Sequence, residues 1–161
     1  SDTPFDMPSS FSIAMWIKAD IASGASAIVT IWKLNSYGIQ YGVTGAVGGV
    51  ANQFGFSMSA NGGLNWTTSN MGETVQTGRW YHIVGVFDDS NNLTYLYMDG
   101  VLKDSDAITG TASNSAFNLH IGNYDNTPTD AGYFDGQMDE IRFYNRALSA
   151  TEIETLYQSG R

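Results

Sequence analysis

The amino-acid sequence predicts an all-β protein, folded as a two-sheet antiparallel β-sandwich with one short C-terminal helix. Its 161 residues include 18 glycines and 21 aromatic side chains (8 Phe, 9 Tyr, 4 Trp) but only 3 prolines. Many aromatic residues fall in short runs where apolar and polar side chains alternate, which is typical of strands with one buried face. Only one segment has helical spacing. No repeat or linker divides the chain, so we expect residues 1–161 to form a single domain.

The predicted strands are short, and turn-forming residues separate most of them. The first predicted strand would bury Phe11, Ile13, Met15 and Ile17 on one face. Trp80–Asp88 is the longest apolar run and is expected at the centre of a sheet, whereas Gly42–Gly49 is too rich in glycine for a regular strand and is predicted to form a bend or loop. In chain order, the predicted strands are Phe11–Lys18, Ala27–Lys33, Tyr37–Val43, Phe54–Ser59, Leu64–Thr67, Trp80–Asp88, Leu93–Met98, Val101–Lys103, Phe117–Gly122 and Gln137–Tyr144.

The last element is predicted to be an amphipathic helix over Ser149–Tyr157. Ser149 precedes Glu152 by three residues, the spacing of a capping box in which the two residues satisfy each other's backbone N–H groups. Apolar residues recur at helical spacing, namely Leu148, Ile153, Leu156 and Tyr157. The helix should therefore dock on a sheet through one face.

Five segments carry motifs in a fixed order: Phe11–Ile17, Gly78–Phe87, Leu96–Gly100, Leu119–Gly122 and Asp135–Tyr157. The third reads LYMDG, and the last combines a glycine, a strand with Asp-Glu, and NRALS before the helix. In this order they resemble laminin-G-like jelly-roll domains of the concanavalin A-like lectin/glucanase superfamily, which includes pentraxins. The resemblance implies a jelly roll over nearly the whole chain.

One feature of that family is missing from the start of the chain. Laminin-G-like domains usually begin with a further strand ahead of the segment that corresponds to Asp2–Pro8. Either residues outside this chain supply it, or the sheet is narrower at that edge.

The charge of the chain limits its partners. A net charge of −9 and a sequence pI of about 4.3 disfavour nucleic acids and anionic membranes, because both require a cationic surface. The absence of cysteine excludes thiol chemistry. No apolar run approaches the roughly 20 residues that span a bilayer, and no signal peptide is recognisable. We therefore expect neither nucleic-acid binding nor membrane insertion.

Catalysis is not expected, although the superfamily contains glycoside hydrolases. Those enzymes need two carboxyl groups that flank the scissile bond, and in this superfamily they lie on one strand as Glu-x-Asp-x-Glu or a close variant. No such spacing occurs here. Asp139 and Glu140 are adjacent, so a regular strand would send them to opposite faces. His82 and His120 lie within predicted strands, without a Ser or Cys nucleophile motif.

The resemblance also implies calcium, which prefers six to eight oxygen ligands. In related jelly rolls the Asp that corresponds to Asp139 binds a structural ion together with carbonyl groups of the N-terminal segment. The alternative is an exposed Asp139 paired with Arg142 or hydrogen-bonded to a loop.

A second calcium site is implied by the resemblance to pentraxins. Its ligands would be Asn123, Asp125 and Asp130 from one loop, with Asn35 from a facing hairpin. These positions hold fewer carboxylates than in pentraxins, which would mean weaker calcium binding or direct contact with a sugar. The alternative is a solvated polar loop.

Aromatic and amide side chains in the predicted loops point to a sugar ligand, because sugar rings stack on Trp or Tyr while Asn and Asp bind the hydroxyls. Trp16 and Trp80 lie within predicted strands and are expected in the core, and Trp66 lies on a different hairpin and should matter less. The candidate sugar-binding residues are Trp32, Asn35, Tyr37, Asn123, Tyr124, Asp125, Asp130 and Tyr133.

Together these observations predict a non-catalytic, calcium-assisted, lectin-like module of a larger extracellular or cell-surface protein. Its partner would be a neutral oligosaccharide or polysaccharide, because the acidic surface repels anionic glycans. A protein-binding or spacer module of a cell-surface adhesin is the alternative, and a glycoside hydrolase domain is a weaker one.

Overall fold

The computed structural model describes residues 5–6, 9–23, 28–42, 48–124 and 132–160, with the backbone alone at residues 28, 29 and 124. It confirms an antiparallel sandwich with a short C-terminal helix. The strands are β1 (Phe11–Ala19), β2 (Ile28–Lys33), β3 (Tyr37–Tyr41), β4 (Phe54–Ala60), β5 (Asn65–Asn70), β6 (Tyr81–Asp88), β7 (Leu93–Met98), β8 (Val101–Ala107), β9 (Leu119–Ile121), β10 (Asn123–Tyr124), β11 (Gly132–Tyr133) and β12 (Gly136–Tyr144), and the helix is α1 (Ala150–Ser159).

The strands form two five-stranded sheets. The first sheet has the order β12-β1-β6-β7-β8, and the second has the order β5-β4-β3-β2-β9. A separate short pair, β10 and β11, joins the end of β9 to the start of β12. Chain neighbours thus pair within each sheet, while β1 and β12 bring the two ends of the chain together. This is the arrangement that a jelly-roll sandwich requires.

The core lies between the two sheets. Phe11, Ile13, Met15 and Ile17 of β1 are all fully buried there, as the alternation predicts. The ring of Phe11 lies 4.8 Å from that of Tyr37, which belongs to the second sheet. Each such side chain stabilises the fold by about 1.5–3 kcal/mol when it is fully buried. These contacts bind the two sheets to each other.

The helix α1 covers the outer face of the first sheet. Its predicted capping box is formed: the Ser149 hydroxyl accepts from the Glu152 backbone N–H, and the Glu152 carboxylate accepts from that of Ser149 at 2.8 Å. Ile153 is fully buried against Ala14 and Val84. Much of β1 and β6 is therefore buried on both faces, whereas the alternation predicted a single buried face for β1.

A β-bulge interrupts β12 opposite β1. Asp139 pairs with Trp16 and Arg142 pairs with Ala14, so β12 has one residue more than β1 in this interval. Glu140 lies at the bulge with a φ of 50°, in the left-handed region that non-glycine residues rarely adopt. The prediction that Asp139 and Glu140 point to opposite faces is wrong, because the extra residue breaks the alternation and both side chains line the same cavity.

Some predicted bounds also change. Trp80 lies just outside β6, β8 continues to Ala107, and β9 is limited to Leu119–Ile121. The predicted loop at Gly42–Gly49 lies partly outside the described residues. Within the described part of the chain, the longest helix has ten residues, and none is long and apolar enough to cross a membrane.

Candidate functional site

The structure does not bring together the two segments that were predicted to share a ligand site. Lys33 of β2 pairs with Leu119 and Ile31 pairs with Ile121, so β9 runs back along β2. Asn35 lies in the turn beyond Lys33, whereas Asn123 lies beyond the opposite end of that pairing. At about 3.3 Å per residue the two are separated by roughly 20 Å along the sheet. They cannot bind one ion.

Tyr37 is not a rim residue. It is fully buried on the inner face of the second sheet, and its hydroxyl donates to the carbonyl of Phe5 at 2.8 Å. Burial, with a smaller contribution from Asp6, raises the pKa of the Tyr37 hydroxyl. The prediction that its ring takes part in sugar binding is wrong, because strand alternation turns it into the core.

The remaining predicted loop residues are described only in part. Tyr133 of β11 is 68% exposed and pairs through its backbone with Asn123 of β10. The side chain of Tyr124, and Asp125 and Asp130 entirely, lie outside the described residues. Their roles in binding a sugar or calcium stay predictions.

Trp32 lies on the outer face of the second sheet and stacks on Trp66 of β5. The two ring centroids are 4.9 Å apart and the ring planes differ by 14°. Trp32 is only 4% exposed, while Trp66 is partly exposed. Trp66, which the sequence placed on a separate hairpin, therefore belongs to the same surface and is its more exposed indole. We call this outer face of the second sheet the indole face.

Small residues make the stacking possible. Trp32 and Trp66 belong to strands that are separated by β3 and β4, so both rings must lie across the sheet to meet. A methyl group at Gly38 would lie 2.2 Å from Cε3 of Trp32, a distance that excludes any side chain there. Ser57 and Ser59 are the adjoining outward-facing residues of β4.

The indole face has no charged side chain among the described strands. Lys33 is the only Asp, Glu, Lys or Arg within β2, β3, β4, β5 and β9. Its ammonium group is fully buried and donates to Asp6 and to the carbonyl of Ser115. The outward-facing residues are Trp32, Gly38, Gln40, Gly55, Ser57, Ser59, Trp66, Thr68, Asn70 and His120.

The described residues do not assemble the calcium ligands that the sequence predicted. They contain no group of three or more His, Cys, Asp or Glu side chains that could hold a metal ion. One oxygen of Asp139 accepts from the Glu140 backbone N–H at 2.7 Å. Phe5, from the N-terminal segment that should supply carbonyl ligands, contacts Phe143 near the far end of β12. The alternative pairing of Asp139 with Arg142 is not observed either, since Arg142 pairs with Glu140.

A cavity of about 390 Å³ lies on the other side of the molecule, where the end of α1 meets the first sheet. Sequence reasoning missed it because Trp16 and Trp80 were expected in the core and because a bulge leaves no periodic signal. We call it the helix-end pocket. Its lining residues are Trp16, Arg79, Trp80, Asp99, Asp139, Glu140, Tyr157 and Gly160.

A family model described as the concanavalin A-like lectin/glucanases superfamily matches residues 1–154. No curated protein sequence matches the chain. Among solved structures, a Bacteroides ovatus protein described as carbohydrate-binding is similar, with a TM-score of 0.74 and 19% identity over 96% of this chain. The chain spans 42% of that protein's length.

Two further structures share the fold. The CBM40 of a Ruminococcus gnavus IT-sialidase, solved with α2,3-sialyllactose, has a TM-score of 0.71 and 16% identity over 92% of this chain and 83% of its own. An SAP-like pentraxin from Limulus polyphemus has a TM-score of 0.60 and 12% identity over 98% of this chain and 78% of its own. The jelly-roll and pentraxin-like resemblance is therefore confirmed at the level of fold.

Proposed function

Because the chain belongs to the concanavalin A-like lectin/glucanases superfamily, we propose that it is a non-catalytic module that binds a neutral oligosaccharide or polysaccharide at the indole face. The observation that carries this proposal is a partly exposed tryptophan, stacked on a second one, on a sheet face whose described strands present no charged side chain. In a protein with a net charge of −9, such a face suits an uncharged ligand.

The stacking of the two indoles supports sugar binding. The C–H face of a sugar ring packs on an aromatic ring, and Trp66 presents such a ring. Contact with Trp32 restricts the conformations of Trp66, so little side-chain entropy remains to be lost on binding. Thr68 and His120, both partly exposed on the same face, supply polar groups for the sugar hydroxyls.

The same face lacks the groups that glycoside hydrolysis requires. Two carboxyl groups must flank the scissile bond, and none of the described strands of the second sheet contains an Asp or Glu. The module should therefore bind a glycan without cleaving it. The described strands of this face also present no arginine or lysine that would hold the carboxylate of an anionic sugar.

Calcium stays a prediction, and binding at the indole face does not require it. A ligand bound only by the native state raises its stability by about 2.7 kcal/mol at a hundred times its Kd. Melting curves with calcium and with a chelator measure this directly. If the curves differ and Asp139→Ala removes the difference, Asp139 is a calcium ligand; unchanged curves would contradict the calcium prediction.

The proposed setting is a secreted or cell-surface protein of several domains. This is supported by the similar Bacteroides ovatus protein, which is more than twice as long as this chain. In a protein of this kind, the module would bind the other domains to a glycan surface.

Affinity electrophoresis in gels that contain neutral polysaccharides tests the proposal, followed by titration with an oligosaccharide of the best one. Trp66→Ala should weaken binding about fivefold, since aromatic stacking contributes about 1 kcal/mol. Trp80→Ala, which removes an exposed tryptophan from the other side of the molecule, is the matched control and should leave that affinity unchanged.

Two outcomes would overturn the proposal. If no neutral glycan retards the protein, the protein-binding or spacer alternative replaces it. If Trp80→Ala abolishes binding and Trp66→Ala does not, the sugar site lies outside the indole face. Sialyllactose serves as the anionic comparison and is expected not to bind.

A further inference from the structure

The helix-end pocket is a second candidate site, and it differs from the indole face in chemistry. Three aromatic side chains form part of its wall: Trp16 of β1, Trp80 before β6, and Tyr157 of α1. Its volume of about 390 Å³ is within the usual range for small-molecule sites. The family model ends at residue 154, so the part of the wall that α1 supplies lies beyond the matched region.

The bulge in β12 places two carboxylates in this pocket, and each has one oxygen that accepts no hydrogen bond from a described residue. One oxygen of Asp139 accepts from the Glu140 N–H, and one oxygen of Glu140 pairs with Arg142 at 3.1 Å. No described residue donates to the second oxygen of either group. Both side chains therefore keep an acceptor that a ligand can use.

A third carboxylate, Asp99, orders the wall of the pocket. One of its oxygens accepts from the His82 backbone N–H at 2.9 Å and the other from Arg79 at 2.7 Å. Asp99 thus holds the Arg79 guanidinium in place beside the pocket. Asp99 is paired with Arg79 and Glu140 with Arg142, which leaves Asp139 as the carboxylate of this pocket that has no cationic partner in the described part of the chain and favours a cation beside it.

The aromatic wall suits a cation as well. The Lys18 ammonium already lies 5.5 Å from the ring centroid of Trp80, a cation–π distance. Trp80 nevertheless remains 37% exposed. The Trp16 and Tyr157 rings stack at 5.8 Å, and the buried indole N–H of Trp16 has no acceptor in the described part of the chain. The exposed part of the Trp80 ring is therefore the aromatic surface that a cationic ligand can contact.

We infer that the helix-end pocket binds an amino sugar that carries a free ammonium group. The ammonium would lie between the open oxygens of Asp139 and Glu140, the sugar ring would pack on Trp80, and the hydroxyls would bind the guanidinium of Arg79. An N-acetylated sugar lacks the charge and gains only the neutral contacts. This inference does not depend on the indole face, which lies on the other sheet.

Isothermal titration of the Trp66→Ala variant, in which binding at the indole face is weakened, with the chitosan trisaccharide and the chitin trisaccharide at about pH 6 tests the inference. Burial lowers the pKa of His82, beneath the pocket, to about 4, so its imidazole is neutral there. The free amine should bind at least fivefold tighter than the acetylated form. Asp139→Asn combined with Glu140→Gln should remove that preference, and Trp80→Ala should weaken the chitosan trisaccharide about fivefold.

Asp89→Asn is the control for the loss of a surface carboxylate outside the pocket, because Asp89 is exposed at the opposite end of β6. It should leave the preference unchanged. Equal affinity for the two trisaccharides, or an equal loss in Asp89→Asn, would overturn the inference. Tighter binding of Nα-acetyl-lysine amide than of the chitosan trisaccharide would assign the pocket to a lysine side chain and also overturn it. Trp66→Ala separates the two sites, since it should affect only the neutral glycan.

Discussion

The indole face and the helix-end pocket both contain two tryptophans, yet their surroundings give them different chemistry. On the indole face, the strands contain a single charged residue, Lys33, and it is buried on the inner side. In the helix-end pocket, three carboxylates and a guanidinium surround the rings. Aromatic rings supply contact area in both regions. The neighbouring polar groups determine which ligand that area suits.

The two regions also differ in how they are supported. The indole face is part of one sheet, and its rings lie on residues of that sheet such as Gly38. The helix-end pocket needs two elements, because Tyr157 and Gly160 reach it only when α1 is docked. The indole face should therefore persist when α1 detaches from the first sheet, whereas the helix-end pocket should not.

The largest effect on stability is expected at Trp32. Truncation of a buried tryptophan costs about 3–5 kcal/mol, and Trp32 is 4% exposed. Trp32→Ala should lower the free energy of unfolding by that amount, whereas Trp66→Ala, at the exposed side of the pair, should cost clearly less. Urea denaturation measures both. Equal losses would mean that the two indoles are equally buried in solution, contrary to the arrangement described.

Ile153→Ala separates the two regions. Ile153 is fully buried on the face of α1 that packs on the first sheet, and its truncation should cost about 2–5 kcal/mol. Because the helix carries one wall of the helix-end pocket, affinity for the chitosan trisaccharide should fall while affinity for the neutral glycan is kept. Thr155→Ala, on the exposed side of α1, is the control. If the affinities for both ligands fall to the same extent, the two regions are not independent.

The first sheet should also make stability depend on pH. His82 is 3% exposed; burial lowers its pKa to about 4, with Asp99 opposing the shift and Arg142 adding to it. Between pH 6.5 and 4 the unfolded chain binds a proton that the native chain does not. The free energy of unfolding should therefore fall as the pH is lowered through this window, by about 3 kcal/mol in total.

Urea denaturation of the protein and of His82→Gln at several pH values tests this dependence. The upper half of the window is the most informative, because unperturbed carboxyl groups titrate mainly below it. His82→Gln should be less sensitive to pH there. An unchanged slope in the variant would mean that the imidazole is not responsible.

The smallest effect is expected at the bulge. Glu140 has a φ of 50°, which costs about 1 kcal/mol for a residue with a Cβ atom and little for glycine. Glu140→Gly should therefore be about 1 kcal/mol more stable than Glu140→Ala. Both variants lose the same carboxylate and the pairing with Arg142, so the comparison isolates the backbone. Equal stability would show that the bulge is not strained.

Local spacing was enough to predict much of the fold. The alternation in β1 identified the buried Phe11, Ile13, Met15 and Ile17, and the spacing of Ser149 and Glu152 identified the start of α1. Both patterns depend on residues a few positions apart, whose geometry is the same in any strand or helix. The ordered motifs likewise identified the family, which the match over residues 1–154 confirms.

The candidate sites depended on relations between strands, and those are not encoded in local spacing. The pairing of β2 with β9 separates Asn35 from Asn123, and the order of four strands brings Trp66 onto Trp32. One extra residue in β12, which is recognised only from its pairing with β1, directs Asp139 and Glu140 toward the same pocket. Periodicity determined which side of each strand faces the core. Register, bulges and the docking of α1 determined which side chains meet, because each arises from pairing with residues far along the chain.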